Sequence, residues 1–212
     1  SPDMEESYPG NLNCKAIYEL NNKNELLINF QAISDQDTIV NLTNHNYWNF
    51  HGHGDYHQNN EDHFVHINSN SICETDEQSI PTGKIINIED TKFNLKNEFL
   101  ISKEFLNSGG IDHNYVLKDQ SMGESAAKIY SKKTGMGVEY FTNQHGIQFY
   151  TGNMMLDKYI GKYNKVYGPQ YGMCLEPQHY PDAVNHSNFP SPILRKNNKY
   201  ISKIKIKLRN NF

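Results

Sequence analysis

The sequence is poor in cysteine, has no long apolar run and carries no excess of positive charge. Its three cysteines, Cys14, Cys73 and Cys174, are widely spaced and odd in number. That pattern suits neither a disulfide framework nor a CxxC metal site, and we therefore expect a reducing compartment, the cytoplasm. No charged segment leads into an apolar stretch near the start, so no signal peptide is expected.

Low hydropathy and mild acidity exclude further classes. The mean hydropathy is −0.77, and no apolar run approaches the length of about twenty residues that a spanning helix needs, so no membrane partner is expected. Lys plus Arg is 20 and Asp plus Glu is 24, a net charge of −4, which does not suit a nucleic-acid-binding protein. Aromatic residues make up 12% of the chain, which argues against disorder. The 212 residues predict one folded domain, residues 1–212, with a sizeable core.

Period-two alternation dominates the chain and predicts an all-β fold, a sandwich or barrel. Two rows of apolar residues show it: Leu26, Ile28, Phe30 and Ala32, and then Ile204, Ile206 and Leu208. The second row alternates with cations between positions 203 and 209, which favours the solvated face of a strand over a nucleic-acid surface. The runs 138–142 and 146–150 are rich in β-branched and aromatic residues and predict two more strands.

Turn signals separate these runs. We place turns at Tyr8–Gly10, Asn21–Asn24, Ile80–Gly83 and Ser108–Gly110, where glycine, proline and asparagine cluster. One or two helical turns are expected only between Lys96 and Asn107. No internal repeat and no linker divides the chain.

The segment 41–50 offers the first candidate residue for chemistry, His45, among amides and large rings that include Tyr47 and Trp48. A histidine tuned by such neighbours can transfer a proton near neutral pH. The alternative is a structural histidine bonded to backbone.

The segment 109–115 offers the second. Gly109 and Gly110 permit a tight bend, after which Asp112 and His113 project from the start of a strand. The alternative is an Asx turn, in which the Asp112 carboxylate bonds its own backbone.

The segment 146–153 contributes Gln148, whose side chain is expected on the opposite strand face from Ile147 and Phe149. An amide both donates and accepts, as binding a sugar hydroxyl requires, and Phe149 or Tyr150 could stack under a pyranose ring. The alternative is an ordinary strand with one polar residue facing water.

The segment 171–185 contains Glu176, which ends an apolar run and precedes Pro177. Proline confines the preceding residue to extended geometry and helps to fix where its carboxylate points. A carboxylate that closes a buried strand is partly desolvated, so its pKa rises and it becomes a usable base. A buried ion pair is the alternative, although the sequence shows no obvious cationic partner.

Five histidines, at positions 51, 53, 57, 63 and 66, resemble a metal-binding cluster. No pair has the HExxH spacing and no neighbouring cysteine completes a zinc set. We therefore expect no functional metal, although adventitious binding of nickel or zinc is compatible with the cluster.

With these segments in place, the chain resembles the aldose 1-epimerases, also called galactose mutarotases. Matching strings occur in the family's order at 1–10, 41–47, 81–83, 111–115, 148–153, 174–178 and 181–185. This chain departs from the family's usual pattern at Met4, Trp48 and Pro177.

The resemblance implies a galactose-mutarotase-like β-supersandwich of mostly antiparallel sheets and a cofactor-free interconversion of the α and β anomers of free hexoses, galactose or glucose. By match to the family, Glu176 is the general base at the C1 hydroxyl and His45 the general acid at the ring oxygen. Asp112 and Gln148 match residues that hold sugar hydroxyls, and Tyr47 lies in the segment lining the site. The implied partner is thus a small aldose.

Family members carry a further N-terminal portion ahead of the string at 1–10, which supplies an arginine and another histidine to the sugar site. The chain opens on Ser1 rather than Met, as the middle of a protein would. We therefore expect an N-terminal complement, as a segment or as a second chain, because its loss would leave sheet edges and apolar faces uncovered.

Two other functions remain open on the sequence. One is a catalytically silent sugar-binding or regulatory homologue, which the missing portion favours and the presence of His45 and Glu176 opposes. The other is a hexose-6-phosphate 1-epimerase, which would need a cationic pocket, whereas the basic residues crowd the C-terminal strand.

Overall fold

The structure is a computed structural model that describes residues 1–53, 59–156 and 159–212. These described residues form seventeen strands and one short helix, α1 (Lys103–Asn107). The strands are β1 (Leu12–Leu20), β2 (Glu25–Ser34), β3 (Thr38–Ile39), β4 (Tyr47–Trp48), β5 (Phe64–Ile67), β6 (Ser69–Thr75), β7 (Pro81–Asn87), β8 (Phe99–Leu100), β9 (Asp112–Leu117), β10 (Ala127–Tyr130), β11 (Gly137–Thr142), β12 (Gly146–Tyr150), β13 (Tyr159–Ile160), β14 (Val166–Tyr167), β15 (Met173–Gln178), β16 (Ile193–Leu194) and β17 (Lys199–Arg209). Three 3₁₀ turns cover Glu5–Ser7, Lys162–Asn164 and Ala183–Asn185.

Two large sheets dominate this all-β architecture. The seven-stranded sheet has the order β1-β2-β17-β11-β10-β5-β8, and the six-stranded sheet has the order β4-β15-β12-β9-β6-β7. Two small ladders join β13 to β14 and β16 to β3. In the three ranges that the structure describes, every strand pairing is antiparallel. The prediction of mostly antiparallel sheets is confirmed.

The alternation in β2 and β17 builds one side of the core. Ile28, Phe30, Ile204 and Ile206 are buried, and register pairs Ile28 with Ile204, as the sequence predicts. Leu208, which was predicted to be buried with this row, is 39% exposed instead, because it lies next to the last residue of β17.

The predicted turn at Ile80–Gly83 is wrong, since Pro81 begins β7 and the strand continues beyond Gly83, which has φ +86° where the pairing with β6 shifts register. Strand β7 is the edge of its sheet, where a proline without an N–H costs no ladder bond.

The helix predicted between Lys96 and Asn107 is confirmed as α1. Its first turn is capped by the Ser102 hydroxyl, which accepts from the Phe105 N–H. No helix among the described residues is long and apolar enough to cross a membrane.

Strand β1 leaves part of an apolar face uncovered. Its residues Ala16, Tyr18 and Leu20 pair with Phe30, Ile28 and Leu26 of β2 and therefore point to the same side of the sheet as the core. Tyr18 is nevertheless 56% and Leu20 69% exposed. Among the described residues, the core therefore does not extend far enough to cover this face of β1.

Candidate active site

The six-stranded sheet has one apolar face and one polar face, and the polar face carries the candidate site. Register aligns Asn114, Gln148 and Glu176 across β9, β12 and β15. The next row two residues along contains Asp112, Tyr150, Cys174 and Tyr47. Because side chains alternate between faces, both rows point to one side of the sheet. Antiparallel pairing thus gathers residues from four distant segments.

The opposite face of these strands belongs to the core. Ile147, Phe149 and Leu175 are completely buried there, so the suggestion that Phe149 stacks under a sugar is wrong, while Gln148 lies on the opposite face from it as predicted. Trp48 is also on the core side, where its indole N–H donates to the Tyr140 hydroxyl at 2.7 Å.

Glu176 and His45 form the central contact of the polar face. His45 Nε2 lies 3.4 Å from Glu176 Oε1, and the side chains are 50% and 10% exposed respectively. Burial raises the pKa of Glu176 to about 7, the His45 imidazole opposes this rise, and the nearby Asp112 carboxylate adds to it. His45 is therefore the side chain that faces Glu176, a pairing that the pattern of residues alone did not reveal.

A break in strand pairing makes room for His45. Strand β4 pairs with β15 only at Met173 and Cys174, so none of the described strands lies beside β15 on that side around Glu176 and Pro177. Proline is tolerated at such an edge because its missing N–H leaves no ladder bond unmade. The loop that bears His45 fills this position.

Four hydrogen bonds hold that loop. The Asn41 side-chain amide donates to the His179 carbonyl at 3.2 Å and accepts from the His179 N–H at 2.9 Å. The Leu42 N–H donates to the Tyr200 hydroxyl at 3.2 Å, and the Asn44 amide donates to the Tyr18 hydroxyl at 3.3 Å. His45 is therefore placed by side chains from β1 and β17 and by the backbone of the segment after β15.

Asp112 and Gln148 form a second polar pair. Gln148 Nε2 donates to Asp112 Oδ1 at 2.6 Å, which is a contact between strands rather than the Asx turn weighed from sequence. Gly110 has φ +59°, and a Cβ there would overlap the Thr151 hydroxyl, so the bend before Asp112 requires glycine.

A recess of about 100 Å³ opens beside this pair, with Asp112, Asn114 and Gln148 among its walls. The buried oxygens Asn114 Oδ1 and Gln148 Oε1 have no hydrogen-bond partner among the described residues. Buried acceptors of this kind are rare unless a ligand or water satisfies them. They suit hydroxyl donors such as those of a sugar.

Tyr47 lies beside the central pair. Its ring stacks on His45 at a centroid distance of 5.1 Å and meets Tyr150 edge-on at 6.4 Å. Burial raises the pKa of Tyr47 to about 12, with further contributions from Cys174 and Tyr150, so the phenol keeps its proton at neutral pH.

The structure brings together all five residues expected from sequence, namely His45, Tyr47, Asp112, Gln148 and Glu176. Sequence reasoning did not assign roles to Asn41, Asn114 or Cys174. For two of them the signal was period-two spacing, since Asn114 follows Asp112 and Cys174 precedes Glu176 by two positions. Tyr150, suggested from sequence as a stacking residue, lies on the polar face with Gln148.

One group of three described residues could hold a metal ion. Ligand atoms of His45, Cys174 and Glu176 all lie within 4.8 Å of one another. Burial raises the pKa of the Cys174 thiol, and the Glu176 charge adds to the rise.

The histidine cluster of the sequence gathers no such group among the described residues, and His57 lies outside them. His51 and His63 are buried with ring centroids 4.1 Å apart. His63 Nε2 accepts from the Phe50 N–H at 2.9 Å, and burial, reinforced by His51, lowers the pKa of His63 to about 4. His63 thus has a structural role.

Comparisons with known proteins agree with this site. The family model described as aldose 1-epimerase matches residues 1–207. The human galactose mutarotase is 39% identical over 202 residues, which are 94% of this chain and 58% of the relative. The aldose 1-epimerase of Escherichia coli K12 is 29% identical over 211 residues, 95% of this chain and 60% of the relative.

Solved structures show the same fold. An aldose epimerase homologue from C. elegans superposes with a TM-score of 0.89 at 24% identity, covering 100% of this chain and 64% of the other. Galactose 1-epimerase from Lactobacillus acidophilus NCFM superposes with a TM-score of 0.82 at 26% identity, covering 100% and 61%. The chain therefore spans less than two thirds of the length of these relatives. The polar face, the family model and the relatives agree, and the chain belongs to the aldose 1-epimerase family.

Proposed function

We propose that this chain carries the acid–base pair of an aldose 1-epimerase that interconverts the α and β anomers of free galactose or glucose. The observation that supports it most is the 3.4 Å contact between His45 Nε2 and Glu176 Oε1 beside the Asp112–Gln148 pair. One group is suited to donate a proton and the other to accept one, within reach of the same sugar.

In the proposed reaction, the Glu176 carboxylate removes the proton from the C1 hydroxyl. The O–H electron pair becomes the second bond of the C1 carbonyl, the C1–O5 bond breaks, and O5 takes a proton from the His45 imidazolium. The open aldehyde rotates about C1–C2 and exposes its other face. Ring closure returns the proton from Glu176 to O1 and the proton from O5 to His45, so the sugar changes anomer and the protein is unchanged.

The rate enhancement expected from one general acid and one general base is sufficient for this reaction. A positioned general acid or base contributes about 10²–10⁴-fold, and anomerisation already proceeds slowly in water. Asp112, Gln148 and Asn114 would hold the hydroxyls across the ring, so that C1 and O5 face the two catalytic groups.

A polypeptide complement belongs to the proposal, because the chain spans 58% of its human relative. The uncovered row of Ala16, Tyr18 and Leu20 is where we propose that it packs. Tyr18 also holds Asn44 in the loop of His45, so a covered β1 would steady the catalytic imidazole. We propose the cytoplasm as the location, given the free thiols of Cys14, Cys73 and Cys174.

The test is polarimetric. The relaxation of fresh α-D-galactose to its equilibrium rotation is measured with this chain and with Glu176→Gln, and acceleration should be lost in the variant. Glu139→Gln is the matched control, because Glu139 is also buried but pairs with Arg209 and Lys128 in the other sheet.

The length of the chain favours one alternative, a sugar-binding homologue without activity. Galactose binding without any acceleration, both alone and after addition of the relatives' remaining N-terminal segment, would support that alternative. Acceleration that appears only with the added segment would instead support the enzyme together with its complement.

A further inference from the structure

A second recess lies next to the candidate site and shares Tyr47 with it. It measures about 320 Å³ and is lined by Tyr47, Tyr167 and Tyr171 together with His53, Lys165 and Val166. This size is at the lower end of the range for small-ligand sites. Strand order places β4, which carries Tyr47, on one side of β15, while β12 and β9 lie on the other.

The lining of this recess suits a sugar ring. Tyrosines offer flat apolar faces for the C–H side of a pyranose and hydroxyls for its edges. His53 Nε2 and the Tyr167 hydroxyl are 2.8 Å apart, so polar groups stand beside the aromatic wall. Sites with aromatic walls and a few fixed polar groups are typical of small-molecule recognition.

The proposed roles of His45 and Glu176 fix the direction in which a larger sugar would extend. In a pyranose, C5 carries both the ring oxygen and C6, so a substituent on O6 leaves the ring next to O5. His45 faces O5 and stacks on Tyr47, which in turn lines the recess. A substituent on O4 leaves from the far side of the ring from C1, away from Glu176 and from β4.

We propose that the recess is a subsite for a second sugar ring joined through O6, so that the substrates include 6-linked reducing disaccharides. The inference rests on the proposed function, since it uses His45 to orient the sugar. A phosphate on O6 would extend in the same direction, but Lys165 is the sole Lys or Arg in the lining among the residues described. The aromatic walls therefore favour a sugar over a dianion.

The test compares isomaltose with maltose, two α-linked glucose disaccharides that differ in 6- or 4-linkage. Exchange between their α and β anomeric protons is measured by NMR magnetisation transfer, which needs no pure anomer, with glucose as the reference. We expect kcat/KM for isomaltose to exceed that for maltose by about tenfold or more, the ratio that one stacking contact supplies.

Two variants locate the effect. Tyr167→Ala removes a wall and Val166→Trp fills the recess, and each should raise KM for isomaltose about fivefold or more without changing the rate with glucose. Tyr163→Ala is the matched control, because Tyr163 is 83% exposed and its ring is 5.4 Å from that of His53, yet it does not line the recess. Equal rates for the two disaccharides, or equal effects of the variants on both, would overturn the proposal.

Two further outcomes are informative. Faster exchange of glucose 6-phosphate than of glucose, lost in Lys165→Ala, would replace the sugar subsite with a phosphate site and overturn the proposal. If no sugar is interconverted either by this chain alone or after addition of the relatives' N-terminal segment, the proposed function fails, and saturation-transfer NMR of bound isomaltose decides the subsite separately. Binding that Tyr167→Ala abolishes would support the subsite, whereas absent or unaffected binding would refute it.

Discussion

His45 Nε2 lies 3.4 Å from Glu176 Oε1, with the imidazole half exposed and the carboxyl almost fully buried. The two groups thus differ in their access to water although they touch. The exposed imidazole can exchange its proton with solvent, while burial keeps the carboxylate basic. This asymmetry underlies the expected pH dependence.

The rate of mutarotation should rise with pH through the titration of Glu176. Burial raises its pKa to about 7, and the carboxylate acts as base only when ionised, so the rate should climb by about tenfold per pH unit below that value. Polarimetry across the pH range, corrected for the buffer-catalysed background, measures this limb. A limb centred near pH 4.5, the ordinary value for glutamate, would contradict the assignment.

The same shift should appear in stability. Because the folded pKa of Glu176 exceeds its ordinary value of 4.5, the folded state binds more protons between pH 4.5 and about 7, so the stability contribution of Glu176 falls as pH rises through that window. The full effect is of the order of 3 kcal/mol at 1.36 kcal/mol per pKa unit. In urea unfolding, the free energy of unfolding of Glu176→Gln minus that of the wild type should be larger at pH 8 than at pH 4. An unchanged difference between the two proteins would show that the carboxylate is not desolvated.

Asp112 should act on substrate binding. Its carboxylate accepts from Gln148 Nε2 at 2.6 Å and would also accept from a sugar hydroxyl, so Asp112→Ala is expected to raise KM about tenfold or more, as loss of a charged hydrogen bond does. Asp112→Asn keeps the shape and should cost less. Glu139→Gln again serves as the control, and a loss confined to kcat would contradict a binding role.

Asn41 should act as a positioning residue. Its side chain makes both contacts to the backbone of His179 and holds the loop of His45 at the unpaired edge of β15. Asn41→Ala should lower kcat about tenfold with little change in KM, because the acid is misplaced while the hydroxyl contacts remain. Asn41→Asp keeps the acceptor for the His179 N–H and should lose less. All rates are compared at the pH at which the wild type is fastest. Equal losses of kcat in both variants would contradict the positioning role.

Local pattern determined much of the fold in advance. The alternation of Leu26, Ile28 and Phe30 indicated β2 and its buried face because side-chain period is set by the strand itself. The segments that carry His45, Asp112, Gln148 and Glu176 stood out for another local reason, because polar, reactive groups lie beside aromatic residues in each of them. At Pro81 the local pattern predicted a turn, but the residue begins strand β7, because an edge strand tolerates a proline.

The sequence by itself therefore determined which residues are polar on which strand face, and its resemblance to a family indicated the chemistry. Only the tertiary structure decided that Glu176 faces His45, that the Asn41 side chain bonds the backbone of His179, and that Tyr47 belongs both to the candidate site and to the wall of a second recess. These relationships join residues more than a hundred positions apart, such as Asn41 and His179. They depend on sheet register and loop packing, which follow from long-range burial rather than from the pattern of neighbouring residues.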